Sequence, residues 1–413
     1  MRLLHVTPHL GGGVGKAHVA LSGALSKDAV DQTFLLLEEP RDRRYVDLIE
    51  AGGARVVVAN SLDHVAHLAG EADIVQFEFW NHPRLFECLA HCAFPAIRSV
   101  FWSHISGLCK PLIPSGLMQA TMRFVFTTKA SLDIPSVGLL SETARSKIAI
   151  IKSGFGFRGA GPRAPVRDRK PAIAYLGTVD FVKMHPEFFD AIDSLIGDNI
   201  RVSVWGAIDP SGSVAARAQA MQRPERVKFC AETAEPAVAL SDADIFFYPL
   251  QPDHYGTAEN ALIEAMSLGL VPVVLNNAAE MAIIRDGETG FVARSIEEAA
   301  SLLQMLLASP DVRERVSQNA VSHVAETRTP DQSARDFMIL WLGLLSKSPQ
   351  HCDFRSAVGD NPAEWFGATQ CLPGANLTYS ELKTVYQPSK GTLAHFESVF
   401  ARDASLARLR VKM

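Results

Sequence analysis

Short apolar runs alternate along the chain with longer segments of helical periodicity. Most runs hold four or five β-favouring residues between turn residues or charges, and their apolarity is continuous rather than alternating. Continuous apolarity predicts strands that are covered on both faces, as in parallel sheets built from βαβ units. In the first part of the chain, the predicted strands are 3–6, 33–37, 55–58, 74–77, 99–102, 124–127 and 148–151, and the first predicted helix is 17–25.

The sequence pattern changes near residue 158. Residues 158–171 are rich in Pro, Gly and Arg without periodicity, which predicts a linker. A second α/β series follows, with predicted strands 172–176, 201–205, 226–229, 244–248, 271–275 and 290–292 and helices that include 186–195, 296–307, 310–326 and 333–345. We therefore expect an α/β fold of two doubly wound halves, 1–157 and 172–345, with the ligand site in the cleft between them.

Residues 346–413 form a third part of the chain. Aromatic residues are spread through it between turn residues, and it ends in a basic helical pattern at 404–412. It is too aromatic for a disordered tail, so we expect it to pack on the core or on a partner subunit, the latter giving a homo-oligomer. Its role stays open at this stage.

Composition narrows the class of protein. Of 413 residues, 47% are hydrophobic and 21% charged, which is enough apolar material for complete cores. A net charge of −5 gives no reason to expect nucleic acid as a partner. There is no apolar stretch long enough for a bilayer span or a secretory signal, and the six cysteines lack framework spacing. These features favour a cytoplasmic protein with reduced thiols.

Residues 9–16 (His-Leu-Gly-Gly-Gly-Val-Gly-Lys) directly follow the first predicted strand and open a helix. Gly12, Gly13 and Gly15 would let backbone N–H groups approach an anion at the helix N-terminus, such as the donor of a group-transfer reaction. The spacing fits neither a P-loop nor the dinucleotide-binding fingerprint. A tight strand-to-helix turn without a ligand is the alternative interpretation.

Residues 255–274 predict a loop, a helix over 258–268, a glycine stop and a buried strand. Thr257 suits the N-cap, and Thr257, Asn260 and Glu264 share one helix face. Such a helix can serve a nucleoside diphosphate, because its N–H groups take phosphates and a carboxylate one turn further in accepts from ribose hydroxyls. A surface helix with a solvated glutamate is the alternative.

Residues 264–273 (Glu-Ala-Met-Ser-Leu-Gly-Leu-Val-Pro-Val) resemble the donor-site signature of glycosyltransferase family 4, which reads Glu-x7-Glu-Ala-Met-Ala-x-Gly-x-Pro-Val. Segments 276–281 and 285–291 resemble its continuation. The two-domain layout extends the resemblance over residues 1–345. It implies a GT-B fold and transfer of a sugar, with retention, from a UDP- or GDP-linked donor to a hydroxyl. It also implies that no metal or other cofactor is required.

The sequence departs from the family pattern at two points. Gly256 stands where the family has its first glutamate, and Glu259 is the candidate to replace it in catalysis, with backbone recognition of the sugar as the alternative. The family's Gly-Arg and Lys-Gly phosphate pairs appear as Gly-Thr at 177–178 and Lys-Met at 183–184. By resemblance, Lys183 keeps the diphosphate-binding and catalytic charge, and the arginine is absent.

Two predicted strands of the first half end in polar residues, where open α/β sheets place their ligands. The resemblance places His104 near the donor sugar, in a catalytic role. Glu78 and His82 are candidates for contacts to acceptor hydroxyls, and His9 is a weaker one beside the glycine loop. Packed side chains are the alternative for each. The acceptor would be a saccharide, a lipid-linked saccharide or a protein.

Three further alternatives stay open. The apolar segment 105–118 and the basic terminal helix allow a peripheral membrane contact, on the inner face of the membrane. A nucleotide-sugar epimerase would share the fold and the donor. A degenerate, non-catalytic scaffold is suggested by the missing arginine and glutamate. Among these, the motifs favour a glycosyltransferase in polysaccharide or glycoconjugate assembly.

Overall fold

The computed structural model describes residues 1–154, 170–233, 235–256, 260–374 and 391–411. Most of the predicted linker 158–171 lies outside these ranges, as do Thr257 and Glu259. The chain forms two compact units: the first is Met1–Ser153, Tyr255–Ala258 and Pro330–Met413, and the second is Gly154–His254 and Glu259–Thr329.

The sheet of the first unit contains seven strands among the described residues: β1 Arg2–Thr7, β2 Asp31–Leu36, β3 Arg55–Val58, β4 Ile74–Phe79, β5 Ser99–Ser103, β6 Arg123–Phe126 and β7 Ile148–Ile150. Their order is β3-β2-β1-β4-β5-β6-β7, and every neighbouring pair is parallel. The strand order reverses between β1 and β4, so the carboxyl ends of these two strands mark the switch point at which such sheets bind ligands.

Helices cover both faces of this sheet, as continuous apolar strands require. In its main body they are α1 Gly12–Ala24, α2 Arg44–Ala51, α3 Leu62–Glu71, α4 Pro83–His91, α5 Ser115–Ala120, α6 Pro135–Gly138 and α7 Glu142–Arg145. Helix α1 begins at Gly12, five residues before its predicted start at 17. The pattern missed this turn because glycines have low helix propensity and carry no apolar signal.

The second unit repeats the architecture. Among its described residues, six parallel strands lie in the order β10-β9-β8-β11-β12-β13. The strands are β8 Ile173–Leu176, β9 Val202–Trp205, β10 Val227–Cys230, β11 Ile245–Tyr248, β12 Val271–Leu275 and β13 Phe291–Ala293. The helices are α8 Phe188–Asp193, α9 Ser213–Gln219, α10 Pro236–Ala239, α11 Asn260–Ser267, α12 Ala278–Met281, α13 Ile296–Ala308 and α14 Pro310–Thr327. The predicted α/β fold with two doubly wound halves is confirmed.

The last helices of the chain all belong to the first unit: α15 Pro330–Leu345, α16 Phe354–Val358, α17 Pro362–Gln370, α18 Leu393–Val399 and α19 Ala404–Val411. The expected domain 172–345 included α15, but this helix packs against α1 and β4 instead. Its indole Trp341 Nε1 donates to Gln76 Oε1 of β4 at 3.0 Å, and Phe337 lies edge-on to Trp102. The apolar face of α15 therefore completes the core of the first unit.

Helices α16 to α19 also pack on the first unit. This agrees with the expectation that residues 346–413 pack on the core. The ring of Phe354 lies edge-on to Phe77 and Phe101 of the sheet, with centroids 5.4 Å apart in both pairs. A Cβ built on Gly116 of α5 would lie 2.8 Å from Ala357 Cα of α16, so these helices approach backbone to backbone. The added segment thus extends the core of the first unit.

Within the described part of the chain, no helix combines the length and the apolarity needed to cross a bilayer.

We predict that Trp341→Phe lowers the free energy of unfolding by about 1–3 kcal/mol, because the buried Gln76 oxygen loses its indole donor. Urea titration followed by circular dichroism measures the change. The matched control on the same helix is Ile339→Ala, whose side chain is 72% exposed and whose effect should stay within about 0.5 kcal/mol. Equal effects of the two substitutions would contradict the role given to the indole.

Candidate functional site

A carboxylate, Glu78, lies fully buried at the carboxyl end of β4. Nitrogen atoms from several elements surround its two oxygens. Gln76 Nε2 and His5 Nδ1 lie 3.0 and 3.1 Å from Oε1, and His18 Nε2 and His104 Nε2 lie 3.1 and 2.8 Å from Oε2. We call these five side chains the Glu78 cluster. It connects β1, α1, β4 and the residue after β5 through one charged group.

The electrostatics of the Glu78 cluster favour an ionised carboxylate. Burial by itself raises the pKa of Glu78, but the charge of His18 and the hydrogen bonds from His104, His18 and His5 outweigh it. The pKa of Glu78 is therefore held well below its usual range. Burial also lowers the pKa of His5, whose ring stacks on Phe34 with centroids 4.3 Å apart. A buried carboxylate of this kind is stable only while its donors stay in place.

His104 is the member of the Glu78 cluster that reaches the surface, with 8% of its side chain exposed. Its backbone N–H donates to Phe79 O at 2.7 Å, and its ring packs against that of Trp102 with the ring centroids 4.5 Å apart. One ring nitrogen is held by Glu78, so the ring orientation is set before any ligand arrives. The structure therefore presents His104 as a pre-oriented imidazole after β5, beside the carboxyl end of β4.

Glu78 itself needs a correction. It was expected to touch acceptor hydroxyls, yet it is 0% exposed. Its carboxylate is surrounded by protein donors because β4 is the central strand and is covered on both faces. Glu78 can influence a ligand only through His104, which makes it a positioning residue.

The glycine loop lies beside the Glu78 cluster and opens α1. Gly12 has φ +59°, a conformation that favours glycine, and it lines a cavity together with Gly11. Gly13 lies exposed in the first turn of α1. A Cβ on Gly15 would lie 2.1 Å from Leu10 O, so this glycine is required by close packing. The loop therefore combines a part that lines a cavity with the tight turn of the alternative interpretation.

The predicted residues His9 and His82 come together with Glu38, which the motif search missed. Glu38 Oε1 lies 3.5 Å from His82 Nε2 and 4.0 Å from His9 Nε2. The pKa of Glu38 is raised above its usual value, mainly because the carboxyl group is partly buried. Its position two residues after β2, at the carboxyl edge of the sheet, was the signal that could have found it.

The donors around His9 and His82 argue against a metal at this group. The backbone N–H of Gly11 donates to His9 Nδ1 at 2.9 Å, and that of Arg84 donates to His82 Nδ1 at 3.3 Å. A neutral ring whose Nδ1 accepts must carry its proton on Nε2. The two Nε2 atoms that face Glu38 are therefore N–H donors rather than metal ligands.

In the second unit, Lys183 lies in the loop after β8. Its backbone N–H donates to Asp180 O at 3.0 Å, and its carbonyl accepts from Gln251 N at 2.8 Å, so the loop is fixed at both sides. The ammonium lies 5.5 Å from the ring centroid of Tyr248, at the end of β11. The lysine charge is thus placed at the carboxyl edge of the second sheet.

The loop before Lys183 passes very close to the neighbouring strand end. Gly177 has φ +154°, and a Cβ on Gly206, which follows β9, would lie 2.1 Å from the Gly177 carbonyl oxygen. Thr178 accepts from the Tyr175 hydroxyl through its carbonyl at 2.7 Å. The two glycines therefore let adjacent strand ends approach closely, and their backbone N–H groups donate to Trp205 O and Cys230 O.

Helix α11 carries the remaining predicted residues of the donor side. Asn260 is its first described residue, and Glu264 is only 2% exposed, one turn further along. Thr257 and Glu259 lie outside the described residues. Glu264 is thus a buried carboxylate on a helix that packs on β11 and β12, and its contact with a ribose stays a prediction.

A second buried histidine–glutamate pair escaped the sequence reasoning. His254 Nε2 lies 3.0 Å from Glu280 Oε1, and both side chains are almost fully buried. Asn277 Nδ2 donates to Leu250 O at 3.2 Å and to Glu280 Oε1 at 3.4 Å. The pair ties the loop after β11 to α12. A histidine shortly after a strand's carboxyl end was a signal for it, but its partner lies 26 residues away in sequence.

Part of the chain matches a known family model. Residues 162–323 match the family model described as glycosyl transferases group 1, a range that contains Lys183, Glu264 and the 264–273 run. The resemblance to group 1 glycosyltransferases is confirmed. No curated protein matches the chain.

Solved glycosyltransferase structures share the fold. Anabaena Alr3699/HepE in complex with UDP superposes with a TM-score of 0.68 at 14% identity, over 83% of this chain and 100% of that one. A glycosyltransferase from Rickettsia africae gives 0.68 at 13%, over 84% and 99%. Sucrose-phosphate synthase from Thermosynechococcus elongatus gives 0.66 at 15%, over 84% and 100%. The predicted GT-B fold is confirmed.

We predict that Glu78→Gln lowers the free energy of unfolding by about 3–5 kcal/mol, because an amide cannot satisfy donors arranged around a carboxylate. Tryptophan fluorescence in urea measures the loss, since Trp80, Trp102, Trp341 and Trp365 all lie in the first unit. The control is Glu71→Gln, which removes an exposed pair with His67 and should cost at most about 1 kcal/mol. A Glu78→Gln protein as stable as the control would refute the role of the cluster.

The same cluster predicts a loss of stability on acidification. The pKa of His5 is lowered on folding, so the unfolded chain takes up a proton first, and stability falls as the pH drops below about 6.5. The pKa of Glu78 is also lowered, so its stabilisation holds above about 4.5 and is lost as the pH falls towards the folded-state value. Urea midpoints from pH 7 to pH 4 should therefore decrease steadily. A flat profile would contradict both assignments.

Proposed function

We propose that this protein is a retaining glycosyltransferase that moves a sugar from a nucleotide-diphosphate sugar to a hydroxyl of an acceptor. The observation that carries the proposal is the group 1 glycosyltransferase match over residues 162–323. The glycine-lined edge of the second sheet and the fixed loop of Lys183 support it. The similar Anabaena protein was solved with UDP and with UDP-glucose, which makes UDP-sugars the first donors to test.

The residues have separate tasks in this proposal. Lys183 balances the charge of the leaving diphosphate, the electrostatic contribution that usually dominates such chemistry. Glu264 accepts from the ribose hydroxyls, and Asn260 supports the same site from the start of α11. Glu259 remains the candidate for the sugar-contacting carboxylate. His104, oriented by Glu78, contacts the donor sugar.

Retention follows if the donor phosphate itself assists proton transfer at the sugar's reacting face. The transition state is then oxocarbenium-like, and no protein nucleophile is required. The lysine charge and the backbone N–H groups stabilise the departing diphosphate, so the mechanism requires no metal. On this basis we propose a role in the assembly of a polysaccharide or glycoconjugate by a protein that works in the cytoplasm.

The decisive experiment is a donor-hydrolysis screen with UDP-, GDP- and ADP-linked sugars, followed by NMR of the anomeric configuration of any product. Release of nucleotide with a retained anomer is the expected result. Epimerised donor without acceptor would overturn the transferase in favour of an epimerase. If calorimetry shows that neither UDP nor GDP binds at millimolar concentration, the protein is a scaffold instead.

We predict that Lys183→Ala weakens UDP binding about tenfold or more, because a charge-assisted contact to the diphosphate is lost. Isothermal titration calorimetry measures the affinity. The matched control is Lys228→Ala, an exposed lysine on β10 of the same unit, which should keep the parent affinity. Equal affinities of the two variants would contradict the placement of the diphosphate.

The prediction for Glu264 is controlled by a change in the nucleotide and not by a second protein variant. Glu264→Gln should weaken UDP binding about tenfold and leave the affinity for 2′,3′-dideoxy-UDP close to that of the parent protein, because the dideoxy ribose offers no hydroxyl. A parallel loss for both nucleotides would show that the substitution acts through folding and not through the ribose.

A further inference from the structure

A cavity of about 480 Å³ lies in the first unit next to the glycine loop. This volume is in the range of small-molecule sites. Four separated parts of the chain line the cavity: the glycine loop at the start of α1, residues 38–45 after β2, His82 directly before α4, and helix α18 from the C-terminal segment. His395 and Ser398 are the side chains of α18 that the argument below uses.

Helix α18 is built into this place. Leu393 and Phe396 are fully buried, and the ring of Phe396 lies 6.1 Å from that of Phe86 on α4. Asn81 Nδ2 donates to Gly391 O at 3.4 Å, directly before the helix. The ring of His395 meets that of His82 edge to face, with centroids 4.8 Å apart. The wall formed by α18 therefore belongs to the folded core.

The cavity offers a defined set of donors and acceptors. His395 Nδ1 accepts from Gly391 N at 3.0 Å, so its neutral ring carries the proton on Nε2, like the rings of His9 and His82. Glu38 contributes a carboxylate with 27% of its side chain exposed, and Tyr45 contributes an aromatic ring. The cavity thus combines imidazole N–H donors, the carboxylates of Glu38 and Asp42, the guanidinium of Arg41 and an aromatic ring face.

This combination fits the hydroxyl-rich face of a sugar. A sugar hydroxyl can donate to Glu38 and accept from an imidazole N–H, while the C–H face of a pyranose packs on an aromatic ring. The same set does not suit a cation, because the imidazole nitrogens near Glu38 carry hydrogen.

We propose that this cavity binds a sugar residue of the acceptor and that helix α18, through His395 and Ser398, determines which acceptors fit. The proposal rests on the proposed function, because it names the substrate class of the same reaction. It assigns the C-terminal segment a task in substrate selection, in addition to its packing on the first unit.

The test uses the full chain with UDP present and methyl glycosides of glucose, galactose, mannose and N-acetylglucosamine as probes. Saturation-transfer NMR detects which probe binds, and a titration gives its affinity. Ser398→Trp places a large ring at the cavity mouth from an exposed position, and Ala401→Trp adds the same ring at another exposed position near the end of α18. Glu38→Gln has its neighbour Glu39→Gln as control, which is exposed and does not line the cavity.

At least one probe should bind to the parent protein. Ser398→Trp and Glu38→Gln should each weaken its binding about tenfold, whereas Ala401→Trp and Glu39→Gln should keep the parent affinity. Circular dichroism of each variant separates loss of binding from loss of folding. Unchanged binding in both cavity variants, or no probe bound while UDP binds, would overturn the proposal and leave the proposed function intact. If UDP and donor sugars fail to bind, the proposed function fails, and the probe titration without UDP still decides whether the cavity takes a sugar.

Discussion

The first unit depends on one buried negative charge. A carboxylate without water must be held by donors on all sides, and the donors of Glu78 come from different elements. His5 lies on β1, His18 lies on α1, and His104 directly follows β5. None of these elements can shift without leaving a buried charge partly unsatisfied. The glycine loop, the switch point and the pre-oriented imidazole are therefore fixed by a single electrostatic requirement.

The returning helix α15 is bound to the same network. Trp341 donates to the Gln76 oxygen, and Gln76 donates to Glu78, so the chain of hydrogen bonds runs from α15 to the carboxylate. Hydrogen bonds in series polarise one another in a low dielectric, which strengthens each link. This explains why residues 330–345 belong to the first unit although they follow the second in sequence. The C-terminal segment then continues on that unit and closes the sugar-sized cavity.

Much of this could be predicted from the sequence, because the deciding signals are local. Continuous apolar runs located the strands of both sheets, and the 264–273 run indicated the donor side and the family. Lys183 and Glu264 could be proposed as site residues because their motifs are short and contiguous. At the glycine loop, the close packing of Gly15 agrees with the tight turn, and the ligand site stays a prediction, with Gly12 lining the cavity.

The remaining features depend on contacts between distant residues, which no local pattern reports. Glu78 has the appearance of a ligand-binding residue at a strand end, and its burial follows from strand order and from helices elsewhere in the chain. His395 meets His82 across more than 300 positions and carries no motif. The domain assignment of α15 depends on the Trp341–Gln76 hydrogen bond, whose partners are separated by 265 positions. Sequence order alone therefore assigned this helix to the preceding unit.

The second unit also contains a buried carboxylate held by a histidine. This pair lies close in sequence to Gly256, the position at which the chain departs from the family motif. His254 and Glu280 form a buried pair that ties the loop after β11 to α12. The loop leads directly to Gly256, where the resembling family has a glutamate. Since a buried hydrogen-bonded pair anchors the loop two residues earlier, its course up to His254 does not depend on a side chain at position 256. The loop therefore keeps its anchor at His254 although the motif's first carboxylate is absent.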